Sequence, residues 1–206
     1  MNDFNKFMKA GFSSNIALLI TYPIDIYKIN KQMIIKKNNS LRNYYRGILR
    51  ALPLTFFDKG IKIYTYESTK NKLNQKNFSI EGSIITTFAQ SIFITPTDVI
   101  KIRNQIKNKN IFLYRGLHLS LARDLPFNII FFGISDTFDN KYSKFVGSFL
   151  ATAIVTPIDV VKTRYCVNPN NKLSYIIKNM RPIDYFKGFY PRVLSLGIFY
   201  GITYNL

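Results

Sequence analysis

The chain has 206 residues, 47% of them hydrophobic and 16% aromatic, and 29 Lys plus Arg against 11 Asp plus Glu give a formal charge of +18. That excess points to an anionic partner, whether nucleic acid, anionic lipid or an anionic solute. A single cysteine, Cys166, and a single histidine, His118, exclude an intrachain disulfide and a Cys/His metal centre.

Lys, Asn and Ile are all frequent, as a coding bias toward A and T produces, so part of the basicity is compositional. The first nine residues mix Asn, an acid and lysines and do not read as a signal peptide, so targeting is expected to be internal. Uncharged runs then follow at 10–24, 82–97, 125–135, 145–158 and 193–206, with a weaker one at 51–57. None reaches the roughly 18 apolar residues of a simple membrane span. Their Ser and Thr content suits helices with one face toward lipid and the other toward a watery cavity. Buried helices of a soluble protein would read the same way.

Three of the runs end in one pattern: Tyr22-Pro23-Ile24-Asp25-Ile26-Tyr27-Lys28, Thr95-Pro96-Thr97-Asp98-Val99-Ile100-Lys101 and Thr156-Pro157-Ile158-Asp159-Val160-Val161-Lys162. Each is followed by an aromatic-basic-glycine tripeptide, Tyr45-Arg46-Gly47, Tyr114-Arg115-Gly116 or Phe186-Lys187-Gly188, and then by a second apolar stretch. One Pro-x-Asp-x-x-Lys reads as a solvated helix end; three, each paired with the tripeptide, make an internal repeat. A proline inside a helix removes a backbone hydrogen bond and kinks it. Asp and Lys three residues apart share a helical face, so three kinked ends can bring six charges into one ring. Buried ion pairs give little net stability, because desolvation offsets attraction, which suits a plug that opens and closes.

This pattern resembles the signature of the mitochondrial carrier family, Pro-x-(Asp/Glu)-x-x-(Lys/Arg), over nearly the whole chain. The resemblance implies an all-α membrane protein of six tilted helices in three tandem pairs around a pseudo-threefold axis. The single domain, 1–206, divides into repeats 1–74, 75–140 and 141–206. It implies a matrix gate in which Asp25 pairs with Lys101, Asp98 with Lys162 and Asp159 with Lys28. A glutamine brace is implied four residues after each lysine, at Gln32 and Gln105, with Cys166 in the third place. The tripeptides resemble the family's cardiolipin-binding element, through Arg46, Gly47, Arg115, Gly116, Lys187 and Gly188. Helix starts attract phosphate in any case, and a glycine-permitted turn with a snorkelling base is the plainer reading.

The resemblance also implies a cytosolic gate of the form (Phe/Tyr)-(Asp/Glu)-x-x-(Lys/Arg). Repeat one keeps it in Tyr66-Glu67-Ser68-Thr69-Lys70. Repeat two has Asp136 but then Asp139 in place of the base, and repeat three ends in Tyr204-Asn205-Leu206. Glu67 set against Asp139 makes this gate weak. The connectors, from Pro23 to Gly47, Pro96 to Gly116 and Pro157 to Gly188, are shorter than the family norm, so their surface helix is expected to be cut down or lost.

Seven residues beyond each tripeptide glycine lie the family's contact positions, here Leu54, Arg123 and Ser195. Arg123-Asp124-Leu125-Pro126-Phe127 resembles the Arg-acid-x-Pro-Phe of carriers for amino acids and related compounds such as S-adenosylmethionine. Such a pair holds a zwitterion, the Arg forking a carboxylate and the Asp taking an ammonium; the alternative is an internal Arg–Asp pair. Thr55 adjoins Leu54, Arg50 lies one turn before it, and Arg192 is near Ser195, so three arginines favour a carboxylate or phosphate. His118 reads as a packing or interfacial residue.

The expected function is transport of a small anionic or zwitterionic solute across the mitochondrial inner membrane by a multi-pass monomer, in a host's mitochondria if the source is viral. Nucleotide or carboxylate carriage, and a non-transporting carrier-fold adaptor, are the alternatives. A basic nucleic-acid-binding helical repeat fits less well, because Lys and Arg cluster between the apolar runs. No nucleic-acid partner, cofactor or metal is expected. Nor is an enzyme, since nothing resembles a nucleophile–base pair or a phosphate-binding glycine loop.

Overall fold

The structure, a computed structural model, describes residues 3–33, 44–73, 79–106, 111–138, 142–168 and 170–205. The fold is all-α. Among the described residues the helices are α1 Asp3–Met33, α2 Ile48–Lys72, α3 Ile80–Ile106, α4 Leu117–Thr137, α5 Ser143–Val167, α6 Leu173–Lys178 and α7 Phe189–Asn205, with a 3-10 turn at Pro182–Phe186 before α7. The weak run at 51–57 is the first part of a full-length helix, α2.

Each long helix packs on the next, α1 on α2, α2 on α3, α3 on α4, α4 on α5 and α5 on α7, and α7 returns to α1. The six long helices therefore close into a barrel. The helices α1, α3 and α5, the first of each repeat, also touch one another directly, and each contains its motif proline, Pro23, Pro96 or Pro157. They converge at the end where those prolines lie.

The side-chain pattern is inverted relative to a water-soluble bundle. Phe12, Ile16, Leu19 and Ile20 on α1, and Ile84, Ile85, Phe88 and Ile92 on α3, form exposed stripes at helical spacing. Phe145, Phe149 and Ile154 do the same on α5. The inner faces bury hydroxyls instead, among them Ser14, Thr21, Ser83, Thr87, Thr152 and Thr156. Thr21, Thr87, Thr152 and Thr156 each donate to the carbonyl four residues back, at 2.6–2.9 Å, so burial leaves them satisfied within their own helix. Apolar outside and polar inside is the arrangement lipid selects. Among the described residues only α5 is apolar enough to cross a membrane by composition alone; the other helices turn their polar content toward the axis.

The helices α2, α4 and α7 each start from the tripeptide glycine in the same left-handed conformation, with φ of 89° at Gly47, 80° at Gly116 and 84° at Gly188. A side chain there costs energy, so glycine is required. The three carbonyls then accept from Ala51, Ser120 and Arg192, one helical turn on, at 3.3, 2.9 and 3.1 Å. Equivalent strain at equivalent places is the repeat expressed in backbone. The third connector keeps a surface helix of six residues, α6, a cut-down form as expected; 34–43 and 107–110, in the other two connectors, lie outside the described residues.

Candidate functional site

Where α1, α3 and α5 converge, the six motif charges meet. Lys101 Nζ lies 2.7 Å from Asp25 Oδ2, Lys162 Nζ 2.5 Å from Asp98 Oδ2, and Lys28 Nζ 2.9 Å from Asp159 Oδ2. Every Asp thus reaches the next of the three kinked helices, and the third pair returns to the first helix and closes the ring. Gln32 Nε2 donates to Asp159 Oδ2 at 3.0 Å, and its Oε1 lies 2.8 Å from the Thr163 hydroxyl. Gln105 is buried at the equivalent place on α3. Cys166 is also buried there, but its thiol turns to the Arg115 carbonyl at 3.3 Å.

The helices α4 and α7 add a second layer. Arg123 forks Asp124, Nε to Oδ1 at 2.7 Å and Nη2 to Oδ2 at 3.0 Å. Its Nη1 reaches Asp98 at 2.9 Å and Asp159 at 3.0 Å. Arg192 Nη1 stands 3.0 Å from Asp159 Oδ2, and the Ser195 hydroxyl donates to Asp25. Each ring acid therefore has a lysine from α1, α3 or α5 and a further partner from α4 or α7. Arg123 and Asp124 satisfy each other rather than standing open for the two ends of a zwitterion. The adjacency that suggested binding has, in this conformation, the internal-pair geometry.

Above the ring lies one cavity. Thr55, Arg123, Asp124, Arg192 and Ser195 line it, but Leu54 and Arg50 do not. Arg50 is exposed and Leu54 half-buried. The cause is helical phase: α2 turns Thr55, Asp58, Lys59 and Lys62 inward, and Leu54 lies about 100° away around the helix. Asp58, Lys59 and Lys62 were not anticipated, although charges spaced one turn beyond Thr55 inside a membrane helix are a signal. Lys62 is 2% exposed, its Nζ 5.0, 4.6 and 5.3 Å from the ring centroids of Phe127, Phe131 and Phe132. The cavity wall carries seven Lys or Arg against five Asp, a net positive lining.

At the tripeptides the bases differ. Arg115 stacks on Tyr165 at 4.1 Å and donates to the carbonyls of Tyr165 and Asn168 at the end of α5, at 3.0 and 3.2 Å. Cations are stabilised at a helix C-terminus. Lys187 pairs with Asp184 at 2.6 Å. That contact, followed by the Arg181 backbone N–H and the Arg164 charge, holds the Asp184 carboxyl below the usual carboxylate range. Of the three expected lipid-binding bases, Arg46 alone is exposed, and its carbonyl accepts from Tyr22 at 3.1 Å. The glycines pack against the lysine turn of a neighbouring repeat: Gly188 on Lys28 and Gln32, Gly116 on Lys162 and Cys166. His118 is exposed, edge-on to Tyr165 with ring centroids 5.7 Å apart.

At the opposite end Lys70 Nζ lies 2.6 Å from Asp136 Oδ2, joining α2 to α4. The Tyr66 hydroxyl donates to the same oxygen at 2.8 Å, accepts from the Ser79 N–H at 3.3 Å, and its ring stacks on Phe132. Glu67 pairs with Lys6 of α1. Asp139 and the side chains of 200–206 lie outside the described residues, so the expected Glu67–Asp139 opposition and the end of repeat three do too.

No family model matches the chain. In sequence it is similar to a mitochondrial carrier of Schizosaccharomyces pombe, 28% identical over 236 aligned positions that span 91% of this chain and 68% of the relative. It is equally similar to the S-adenosylmethionine carrier 1 of Arabidopsis thaliana, 28% over 250 positions, 97% of this chain and 77% of the relative. The mitochondrial aspartate-glutamate transporter of Saccharomyces cerevisiae is 25% identical over 96% of this chain and 30% of its own length. Such relatives along most of its length agree with the threefold ring and the lipid-facing barrel: in sequence and in fold the chain is like the mitochondrial carriers.

Proposed function

We propose that this protein exchanges a small anionic or zwitterionic solute across the mitochondrial inner membrane by alternating access, with an amino acid or a related compound such as S-adenosylmethionine as cargo. The observation that carries this reading is the position of Arg123 and Arg192, both in the cavity wall and both held by carboxylates of the ring. A carboxylate arriving in the cavity competes with Asp98 and Asp159 for those guanidiniums. Once it takes them, Asp98 keeps only Lys162 and Asp159 keeps Lys28 and Gln32, and the ring loses its cross-braces. Binding energy from the cargo thereby offsets the cost of parting buried charges. In this reading the ring is the matrix gate and the Lys70–Asp136 pair, braced by Tyr66, the surviving part of the cytosolic gate.

The cargo class rests on the net positive cavity, on the Arg-Asp-x-Pro-Phe stretch, and on likeness to carriers named for S-adenosylmethionine and for aspartate and glutamate. Lipid contact at the matrix surface falls to Arg46 and the helix starts, with cardiolipin the fitting headgroup, and the protein works as a monomer.

Purified protein in liposomes loaded with amino acids, S-adenosylmethionine, nucleotides or carboxylates tests the reading. Uptake of a labelled amino acid or S-adenosylmethionine that depends on internal counter-solute supports it. Uptake of nucleotides or dicarboxylates alone would move the cargo to another class. No uptake of any of them above empty vesicles would leave an adaptor that keeps the fold without the transport.

A further inference from the structure

Three buried acceptors on the cavity wall have no hydrogen-bond partner among the described residues: Asp58 Oδ1, Gln90 Oε1 and Asn128 Oδ1. They come from α2, α3 and α4, and their residues are 3%, 2% and 0% exposed. The Asn128 orientation is fixed by its surroundings. The Thr87 hydroxyl donates to the Ser83 carbonyl at 2.8 Å, so it can only accept from Asn128 Nδ2, at 3.0 Å. The amide oxygen is therefore the free end. A carboxylate oxygen such as Asp58 Oδ1 can only accept while ionised.

Buried acceptors without partners each cost free energy, and three on one wall of one cavity are the imprint of a donor that binds there. We infer that Asp58, Gln90 and Asn128 form a cargo subsite for an uncharged N–H2 group, an aryl amine or a carboxamide, on the side of the cavity made by α2, α3 and α4. This rests on the transport reading and deepens it by naming a second recognition element of the cargo. An uncharged donor fits better than an ammonium. Lys59 Nζ already lies 2.8 Å from Asp58 Oδ2, and Lys62 stands one turn on, so another cation would add to a positive wall. An N–H2 group supplies two donors without that repulsion.

The test uses solute pairs that differ only at this group: AMP and IMP, S-adenosylmethionine and its inosine analogue, glutamine and the side-chain methyl ester of glutamate. Competition for uptake by liposomes carrying wild-type protein, Asn128→Leu or Gln90→Leu is measured. Thermal unfolding in detergent is followed with and without each solute. The wild type is expected to prefer the N–H2 member of a recognised pair roughly tenfold, about the value of one buried hydrogen bond. In the variants the preference falls to within about twofold. Without solute, Gln90→Leu is expected to melt no lower than wild type, since it removes an unsatisfied acceptor; a structural role predicts a lower melting point.

Uptake without preference, or a preference both variants retain, overturns the subsite and leaves the transport reading standing. If the wild type takes up no solute, the transport reading fails. The subsite then fails with it unless the N–H2 members alone raise the melting temperature of the wild type and not of the variants.

Discussion

Asp159, on the last of the three kinked helices, lies 2.9 Å from Lys28 on the first, and the contact closes a ring that the chain opens more than a hundred residues earlier. It is also the most heavily braced of the three pairs. Asp159 receives Gln32, Arg123 and Arg192 as well, whereas Asp25 has Ser195 beside Lys101.

That asymmetry makes charge exchange unequal around the ring. Asp25→Lys or Lys101→Asp alone leaves like charges buried together and is expected to cost about 3–5 kcal/mol of stability. The double variant Asp25→Lys/Lys101→Asp is expected to recover most of it. Asp159→Lys/Lys28→Asp is expected to recover much less, because the new lysine meets Arg123 and Arg192. Thermal unfolding of the three variants of each pair in detergent measures both; equal recovery would contradict the bracing described.

Arg123 gives a second prediction. Its guanidinium serves Asp124, Asp98 and Asp159 at once, which a single ammonium cannot do. Arg123→Lys is expected to keep the charge yet lose about 2–3 kcal/mol of stability and most of the exchange rate. Wild-type exchange by Arg123→Lys would show that charge alone matters there.

At the other end, Tyr66→Phe keeps the ring stacked on Phe132 and removes the hydroxyl that bridges Ser79 and Asp136. The expected loss is about 1 kcal/mol, with faster exchange if opening this end limits the rate. A slower rate at unchanged affinity would count against a gating role for Lys70–Asp136.

Gly116→Ala tests the strained helix start. Its φ is 80°, and the added Cβ would lie 3.3 Å from Cys166 Sγ. The expected cost is about 1–2 kcal/mol from the left-handed conformation. An unchanged melting temperature would mean that the turn relaxes without cost.

What the sequence made legible is what symmetry repeats. The proline, acid and base recur three times, so the convergence of α1, α3 and α5 could be inferred from spacing, while the partners within the ring followed from the resemblance to the mitochondrial carriers. Arg123 could not be placed the same way, because whether it faces cargo or Asp98 and Asp159 depends on how near α4 comes to the ring. The inward face of α2 was set one residue off, at Leu54 instead of Thr55. That error carried Arg50 into the expected cavity and left Asp58, Lys59 and Lys62 out. Arg115 and Lys187 looked alike as bases beside a glycine. Only the fold shows one capping the end of α5 and the other paired with Asp184.

The most direct test of the ring as a gate is to lock it. In a Cys166→Ser background, Asp25→Cys and Lys101→Cys place thiols on α1 and α3 where the native pair stood, and a reducible bis-methanethiosulfonate reagent spans the gap the shorter side chains leave, joining each thiol to it through a disulfide. Solute exchange is then measured in liposomes before the reagent is added, after disulfide formation, and after reduction. The account predicts exchange that stops when the disulfide forms and returns when it is reduced. Exchange that continues with the two helices covalently joined would contradict it.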